Sequence, residues 1–457
     1  MKDLTHGSVR GHIGRMTAFM LVSMLLQTLY SLVDLYWVSR LGEHSVAAVA
    51  VATNLMMIVM AFGQMLGVGT AAMISHAVGR KDHPRVQFLF NQACALAVLM
   101  GAVFSIVGLA LKGAYAHALA ADEETADLAS RFLTWFILAM AVQFPMMGLS
   151  SALRGTGNMR PGVTVQVGTI IVNMMLAPVL MFGWLFGVKL GIEGAAVATL
   201  VAITLGSLGL ALYLRREATY LRVKLADWKP DLSIWSRMLG IGLPSGAEFG
   251  LMTIYFTFVY ALIRPFGVDA QAGFGIGMRV MQTGFMPAMA VSMACAAVAG
   301  QNYGARQLAR VRETFVSGAI IATAMMIAFA GLSHIAPGAM VHFFSSDAPV
   351  IAVGEDYLRI ISWNYLCFGL IAVSGGIFQG LGNTWPTMIA SAVRIGLIVV
   401  PAWILAHRPD FHLHGLWWLS VGAVAIQMLL VLLFLRREFA RKLDPPVPVA
   451  ATAEPAA

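Results

Sequence analysis

The segment GQNYGARQLARVRETF, residues 300–315, decides the fold because it repeats an earlier segment, SHAVGRKDHPRVQFLF, at residues 75–90. Gly, Arg, Val and Phe recur at the same places when the two segments are superposed at an offset of 225 residues. Two further pairs follow in order: RGTGNMRP at 154–161 with QGLGNTWP at 379–386 at the same offset, and LYLRREA at 212–218 with LFLRREF at 433–439 at an offset of 221. Three ordered matches at nearly one offset indicate a duplicated chain.

The chain around these segments is strongly apolar. Of its 457 residues, 59% are hydrophobic and only 11% are charged, and the mean hydropathy is +0.78. This composition is typical of a membrane protein and excludes an ordinary soluble domain. Twelve apolar runs are long enough to cross a bilayer: 16–38, 46–75, 89–111, 132–153, 162–186, 194–214, 240–263, 272–300, 314–335, 360–380, 387–406 and 415–435. We therefore predict an all-α integral membrane protein with twelve transmembrane helices.

Each repeat holds six of these runs. Because six is even, the second repeat enters the membrane from the same side as the first, so the two are parallel repeats related by an axis along the membrane normal. We predict two pseudo-symmetric six-helix lobes with a substrate path between them. The predicted segments are an N-lobe at 1–214, a cytoplasmic linker at 215–239, a C-lobe at 240–438 and a disordered cytoplasmic tail at 439–457.

The distribution of basic residues predicts the orientation. The loops and tails on the side of the N-terminus hold 21 of the 30 Lys and Arg residues, whereas the opposite side holds 7. The positive-inside bias then predicts that both termini lie in the cytoplasm. We expect a multi-pass protein of the cell (inner or plasma) membrane. The net charge of +8 reflects this topology and contact with the lipid bilayer, so a nucleic-acid partner is not expected.

Only two acidic residues, Asp34 and Glu248, lie inside the apolar runs. A charged Asp at the centre of a span costs about 3 kcal/mol on insertion scales, so such residues normally face the interior and have a function. Asp34 shares one helical face with Gln27 and Ser31, and Glu248 shares a face with Tyr255. We expect both polar stripes to face the interior of the bundle.

Each carboxylate also has a structural alternative. Asp34 lies near the outer end of its run, where it could be hydrated and paired with Arg40. Glu248 could pair with Arg279 or Arg394, the two basic residues inside the runs. As functional groups, the acids could exchange protons near neutral pH, or could hold a sodium ion together with neighbouring oxygens. Both chemistries couple an ion gradient to a conformational change.

Five segments carry a resemblance to a known family: VDLYWVSRLG at 33–42, RGTGN at 154–158, IIVNMMLAP at 170–178, GLPSGAE at 242–248 and MPAMAVSMACAAVAGQNYGA at 286–305. Over about residues 12–438 the sequence resembles the multidrug and toxic compound extrusion (MATE) family, in its NorM-like branch. The resemblance implies two lobes that open to one side at a time. It also implies export of small cationic or amphipathic compounds, driven by inward flow of protons or sodium ions.

The resemblance assigns roles to individual residues. Asp34 matches the family's aspartate in the first span, Glu248 matches the seventh-span glutamate of the NorM-like branch, and Asn173 and Thr199 match oxygen donors of the cation site in the N-lobe. The implied cation-coupling residues are thus Asp34, Glu248, Asn173 and Thr199. Candidates for the substrate cavity are Gln27, Ser31, Tyr255, Arg279 and Arg394.

Two departures from the family pattern favour protons over sodium. Ala177 stands where several relatives have an acid four residues after the asparagine of the fifth span, and the tenth span is apolar near Phe368 where others have an aspartate. The loss of these ligands weakens a sodium cage more than it affects one protonatable acid.

Two other functions compete with export. A flippase for lipid-linked sugar precursors belongs to the same wider superfamily, but it would need a basic cavity, and only Arg279 and Arg394 lie inside spans. A membrane-embedded enzyme would need converging catalytic groups, and two carboxylates in separate lobes without an intramembrane histidine argue against it. We expect a monomer with no catalytic residue, no metal site and no cofactor other than the coupling ion.

Overall fold

The computed structural model describes residues 2–120, 122–184, 189–216, 221–407 and 412–443. These residues form fourteen α-helices and no strand. The first half contains α1 (Val9–Ser39), α2 (Glu43–Gly79), α3 (His83–Leu119), α4 (Glu123–Gly155), α5 (Arg160–Phe182) and α6 (Ile192–Arg216). The second half contains α7 (Leu232–Ile263), α8 (Val268–Gly304), α9 (Leu308–Ile335), α10 (Pro337–His342), α11 (Ala348–Ile361), α12 (Trp363–Gly380), α13 (Trp385–Leu405) and α14 (Leu413–Lys442).

Eleven of the described helices are long and apolar enough to cross a membrane, and α11 and α12 form a bent pair that can be the twelfth. The two helices meet at Ser362 with a bend of 52°. The side chain of Ser362 donates to the carbonyl of Arg359 and lies 2.8 Å from the ring of His334. The all-α membrane fold is confirmed, but the run predicted as one helix over 360–380 is broken at its start.

The duplication is visible in the backbone. Left-handed conformations recur at the offset of 225 residues that superposes the sequence motifs, and each pair lies in equivalent turns between helices. The pairs are Gly42 with Gly267 (φ 108° and 96°), Lys81 with Arg306 (59° and 59°) and Gly157 with Gly382 (74° and 71°). Because L-residues with a side chain rarely adopt positive φ, the agreement shows that the two halves fold alike.

At one end of the molecule, which we call the closed end, the two halves pack together. One apolar cluster combines Leu4 and Ile13 of the first half with Val298 and Val431 of the second. The helices approach so closely that a Cβ added to Gly69 would lie 1.9 Å from the carbonyl oxygen of Met238. Glycine at this position therefore allows α2 and α7 to touch.

At the opposite end, which we call the far end, each half has its own apolar cluster. Residues such as Val38 and Ala129 pack within the first half, and residues such as Phe274 and Trp417 pack within the second. Among the described residues the halves thus share their core at the closed end only. The functional side chains must be sought along the helices that lead from there to the far end.

The predicted linker and tail are partly helical. Helix α7 begins at Leu232, inside the predicted linker 215–239, and α14 continues to Lys442, inside the predicted tail 439–457. Residues 217–220 of the linker and 444–457 of the tail lie outside the described residues.

Candidate functional site

Asp34 lies in the last third of α1 with a carboxylate oxygen that is buried and has no hydrogen-bond partner. Arg40, the surface partner considered from the sequence, instead donates to the hydroxyl of Tyr36 at 2.6 Å and stacks on its ring. A buried carboxylate oxygen without a donor is energetically unfavourable and calls for an explanation. The geometry does not support a carboxylate anchored at the surface by Arg40.

Asn173 of α5 and Thr199 of α6 are joined by a hydrogen bond. The amide of Asn173 donates to the hydroxyl of Thr199 at 2.9 Å, and this hydroxyl donates to the carbonyl of Ala195 at 3.0 Å. Asn173 is buried, and its own carbonyl oxygen has no partner. Tyr30 lies near both Thr199 and Asp34, so α1, α5 and α6 bring these groups to one place.

The resulting cluster, which we call the first-half site, consists of Asp34, Tyr30, Asn173 and Thr199. Its carboxylate, amide, hydroxyl and phenol oxygens include two buried acceptors that are unpaired. Such oxygens can accept a hydrogen bond from a protonated group, or can contribute to the shell of a hard cation. Ala177, one turn after Asn173, is buried in the apolar cluster of the far end and adds no ligand.

The polar stripe predicted on α1 divides into two parts. Ser23 donates to the side chain of Gln166 on α5 at 2.8 Å, and Gln166 donates to Gln27 at 3.4 Å. Ser31 is exposed and donates to the carbonyl of Gln27 in its own helix. Gln27 therefore helps to fix α1 on α5, whereas the side of α1 around Ser31 is open.

Glu248 of α7 has partners from two other helices. Its carboxylate accepts a hydrogen bond from Ser391 of α13, and Gln427 of α14 donates to the same serine hydroxyl at 3.0 Å. Ser391 and Gln427 are both buried. These three residues, which we call the second-half network, hold α7, α13 and α14 together.

The two basic residues inside the spans behave differently. The guanidinium of Arg394 lies 5.5 Å from the centre of the Tyr255 ring and contacts the sulfur of Met252, close enough to Glu248 to interact with its charge. Arg279 is exposed. In the described part of the chain neither arginine forms an ion pair with Glu248 within 4 Å, so the alternative of direct pairing is not what the structure shows.

The five predicted cavity residues do not form one cluster. Tyr255 and Arg394 are in contact, but among the described residues no hydrogen bond or ring contact joins them to Gln27, Ser31 or Arg279.

A cavity with a different lining lies between the halves near the closed end. Its lining includes Arg154, Gln64 and Gln379. Its volume is about 60 Å³. Pockets for drug-sized ligands measure about 300–1,000 Å³, so this cavity is too small for such a ligand in the present conformation.

The sequence analysis missed four residues of these sites. They are Tyr30, Gln166, Ser391 and Gln427, each of which is a polar side chain in an apolar run. Tyr30 lies one helical turn before Asp34, and Ser391 lies one turn before Arg394. The i, i+3 and i, i+4 neighbours of the charged intramembrane residues would have identified these two.

Comparison with known proteins identifies the family. The family model MatE matches residues 20–179 and 244–404, once in each half of the chain. The first residues of the two matches, 20 and 244, are separated by nearly the same offset as the repeated motifs, so the family's domain is present twice.

The relatives are similar over most of their length. The probable multidrug resistance protein YoeA of Bacillus subtilis is 26% identical over 422 residues, covering 90% of both chains. The probable multidrug resistance protein NorM of Thermotoga maritima is 25% identical over 415 residues, covering 90% of this chain and 88% of the relative.

Solved structures share the fold. A multidrug resistance MATE family transporter in an outward-facing conformation superposes with a TM-score of 0.88 at 24% identity, covering 96% of this chain and 97% of the other. A structure of MATE in a bent conformation gives a TM-score of 0.90 at 24% identity, covering 96% and 98%. The relatives named for multidrug resistance do not favour the flippase considered from the sequence. Because the family model matches both halves and most of the chain, the protein belongs to the MatE family, the multidrug and toxic compound extrusion proteins, and is a membrane transporter rather than an enzyme.

Proposed function

We propose that this protein is a monomeric antiporter that exports small cationic or amphipathic compounds in exchange for protons or sodium ions. Relatives named for multidrug resistance and multidrug export support the class of substrate. The observation that carries the coupling is the buried, unpaired carboxylate oxygen of Asp34, close to Tyr30, which also lies near the Asn173–Thr199 pair.

The first-half site is the proposed coupling site. A proton on Asp34, or a cation bound to Asp34 and Asn173, would satisfy acceptors that otherwise have no partner. Release of the ion leaves a charge in an apolar helix, which favours a conformation that hydrates it. We favour protons because Ala177 and Phe368 supply no further charged oxygen, and Phe368 instead stacks on Phe285 with ring centres 3.9 Å apart.

The packing of the two halves supports alternating access. Opening the closed end requires the loss of contacts between the halves, such as the 2.6 Å hydrogen bond between the His76 ring and the carbonyl of Gly380. The positive-inside bias places the closed end, with both termini, in the cytoplasm. In that orientation the conformation described here is closed to the cytoplasm, and the compound leaves from the far end.

Dye export from inverted vesicles tests the coupling. The wild type and Asp34→Asn are compared under an imposed proton gradient and then under a sodium gradient, with Glu43→Gln, an exposed acid at the start of α2, as the matched control. We expect gradient-driven export to fall about tenfold or more in Asp34→Asn and to persist in Glu43→Gln, because allosteric coupling energies are typically 1–3 kcal/mol.

The gradient that drives the wild type identifies the ion. Undiminished export by Asp34→Asn, with normal membrane insertion, would contradict the coupling role of Asp34. Export by both variants without any gradient dependence would contradict antiport itself.

A further inference from the structure

Three basic side chains line one cavity at the closed end of the first half. The cavity has a volume of about 330 Å³ and lies between the start of α1 and the turn that leads into α5. Its lining includes Lys2, Arg15, Arg160, Met16, Phe19 and Asn158. The site is separate from the first-half site and from the cavity between the halves.

The positive charges in this cavity are not balanced by nearby acids. In the described ranges no carboxylate lies within 4 Å of Lys2, Arg15 or Arg160. The neighbouring Asp3 is engaged in its own turn, where it accepts hydrogen bonds from Thr5. The pKa of Lys2 is lowered by partial burial and then by the charges of the two arginines. Three cations that repel one another in a shared cavity favour an anionic ligand.

The chain holds Lys2 in place from both halves. The backbone amide of Lys2 donates to the carbonyl of Thr156 in the first half at 3.1 Å. Leu4 is fully buried, and its amide donates to the side chain of Gln301 in the second half, while Asn302 donates to its carbonyl. The segment before α1 is therefore a fixed strap between the halves, and Lys2 is a fixed part of the cavity.

The cavity adjoins the starts of two predicted membrane-spanning runs. The apolar runs of α1 and α5 begin at residues 16 and 162, so Arg15 and Arg160 stand directly before hydrocarbon-spanning segments. Below the charges the wall is apolar, and the guanidinium of Arg160 lies 5.4 Å from the centre of the Phe19 ring. A polar anion with an acyl chain attached fits this arrangement.

We propose that Lys2, Arg15 and Arg160 form a binding site for a phosphate group, supplied either by an anionic phospholipid or by inorganic phosphate. Arginine binds phosphate oxygens through two parallel donors, and lysine adds a point charge. Because Lys2 belongs to the strap, a phosphate in the site also stabilises the closed end. The site is specific to the first half, since Arg160 corresponds to Trp385 at the offset of the repeat.

Unfolding of the purified full-length chain, followed by tryptophan fluorescence in detergent, tests this site. Phosphatidylglycerol, phosphatidylcholine and sodium phosphate are titrated separately at constant ionic strength. The double variant Arg15→Gln/Arg160→Gln is compared with Arg215→Gln/Arg216→Gln, which removes two exposed charges at the end of α6. We expect phosphatidylglycerol to raise the unfolding temperature of the wild type and of the control. The half-maximal concentration should rise about 100-fold in the double variant, since each lost contact costs about tenfold.

The probes distinguish the source of the phosphate. An effect of phosphatidylglycerol without one of sodium phosphate supports a lipid ligand, and an equal effect of sodium phosphate supports a free anion. Equal effects of phosphatidylglycerol and phosphatidylcholine, or an equal loss in both double variants, would overturn the proposal. Lys2→Gln, outside the helices, is the second variant if the double variant does not fold, and should weaken binding about tenfold.

Discussion

Two carboxylates lie inside the apolar helices, one in each half, and their surroundings are opposite. Asp34 has a buried oxygen without a partner, beside an Asn173 whose side-chain carbonyl is also unpaired. Glu248 accepts a hydrogen bond from Ser391, which is in turn held by Gln427. The first arrangement has capacity to bind an ion, whereas the second is largely satisfied by the protein itself.

The repeat explains this difference, because the two acids are not counterparts. At the offset of 225 residues Glu248 corresponds to Ser23, and Ser391 corresponds to Gln166. The hydrogen bond from Ser23 to Gln166 thus matches the one between Glu248 and Ser391. The duplication has kept a polar contact between the first and fifth spanning segments of each half while changing the residues that make it.

The first-half site has no such counterpart. Asp34 and Asn173 correspond to Val259 and Ile398, which are buried together in the apolar cluster of the second half. The same scaffold thus holds an oxygen-rich site in one half and a packed core in the other. Under the coupling role proposed for Asp34, ion coupling belongs to one lobe, and the following experiments can break or sharpen that assignment.

The largest expected effect separates the two acids. In the vesicle assay we expect Glu248→Gln to lower export less than threefold, against about tenfold or more for Asp34→Asn. The reason is that a glutamine can still accept the hydrogen bond of Ser391, whereas an asparagine cannot carry the charge of Asp34. A greater loss in Glu248→Gln than in Asp34→Asn would move the coupling site to the second half.

A smaller effect is expected on stability. Ser391→Ala removes the donor of Glu248 and leaves a buried carboxylate unpaired, which we expect to cost about 1–3 kcal/mol. The unfolding temperature in detergent, followed by tryptophan fluorescence, should fall. The matched control is Ser374→Ala, because the hydroxyl of Ser374 is buried without a partner and its loss removes no hydrogen bond. Equal shifts in the two variants would show that the second-half network does not stabilise the fold.

The smallest effect concerns a partly exposed acid whose role is local. Asp231 caps α7, and hydrogen bonds from the hydroxyl of Ser233 and the amide of Ile234 lower its pKa. A lowered pKa means that this carboxylate stabilises the helix start above its unfolded pKa, and that the contribution is lost as the pH falls through the folded value. The protection factors of the first turn of α7, which compare the observed hydrogen exchange with the intrinsic rate at the same pH, should therefore fall in acid.

The variant Asp231→Asn provides the control for this pH dependence. Asparagine is about as good an N-cap as aspartate but does not titrate, so the protection factors of the first turn should be the same at neutral and acidic pH. An unchanged pH dependence in Asp231→Asn would show that another group controls this helix start.

Several features of the fold could be predicted from the sequence for physical reasons. Apolar runs of about 20 residues have one stable arrangement in a bilayer, which is the helix, because lipid offers no partner to the backbone. The repeated turns at Gly157 and Gly382 were visible as motifs because a positive φ favours glycine. The break at Ser362 was missed, since nothing in an apolar run marks a bend that packing imposes.

The candidate sites were predicted in part. Asp34 and Glu248 could be identified because a charge in an apolar run is costly whatever surrounds it. Their partners could not, because Ser391 and Gln427 come from helices far away in the sequence. The same holds for Lys2, whose place beside Arg160 depends on a strap held between two halves.

The sequence by itself determined the class of the protein, the number of spanning segments, their duplication and the two acids within them. These follow from composition and periodicity, which act on each segment separately. The tertiary structure decided which acid is left without a partner, which arginine stacks instead of forming an ion pair, and where the two halves meet. Such properties depend on distances between helices, and packing sets those distances only once all the helices have assembled.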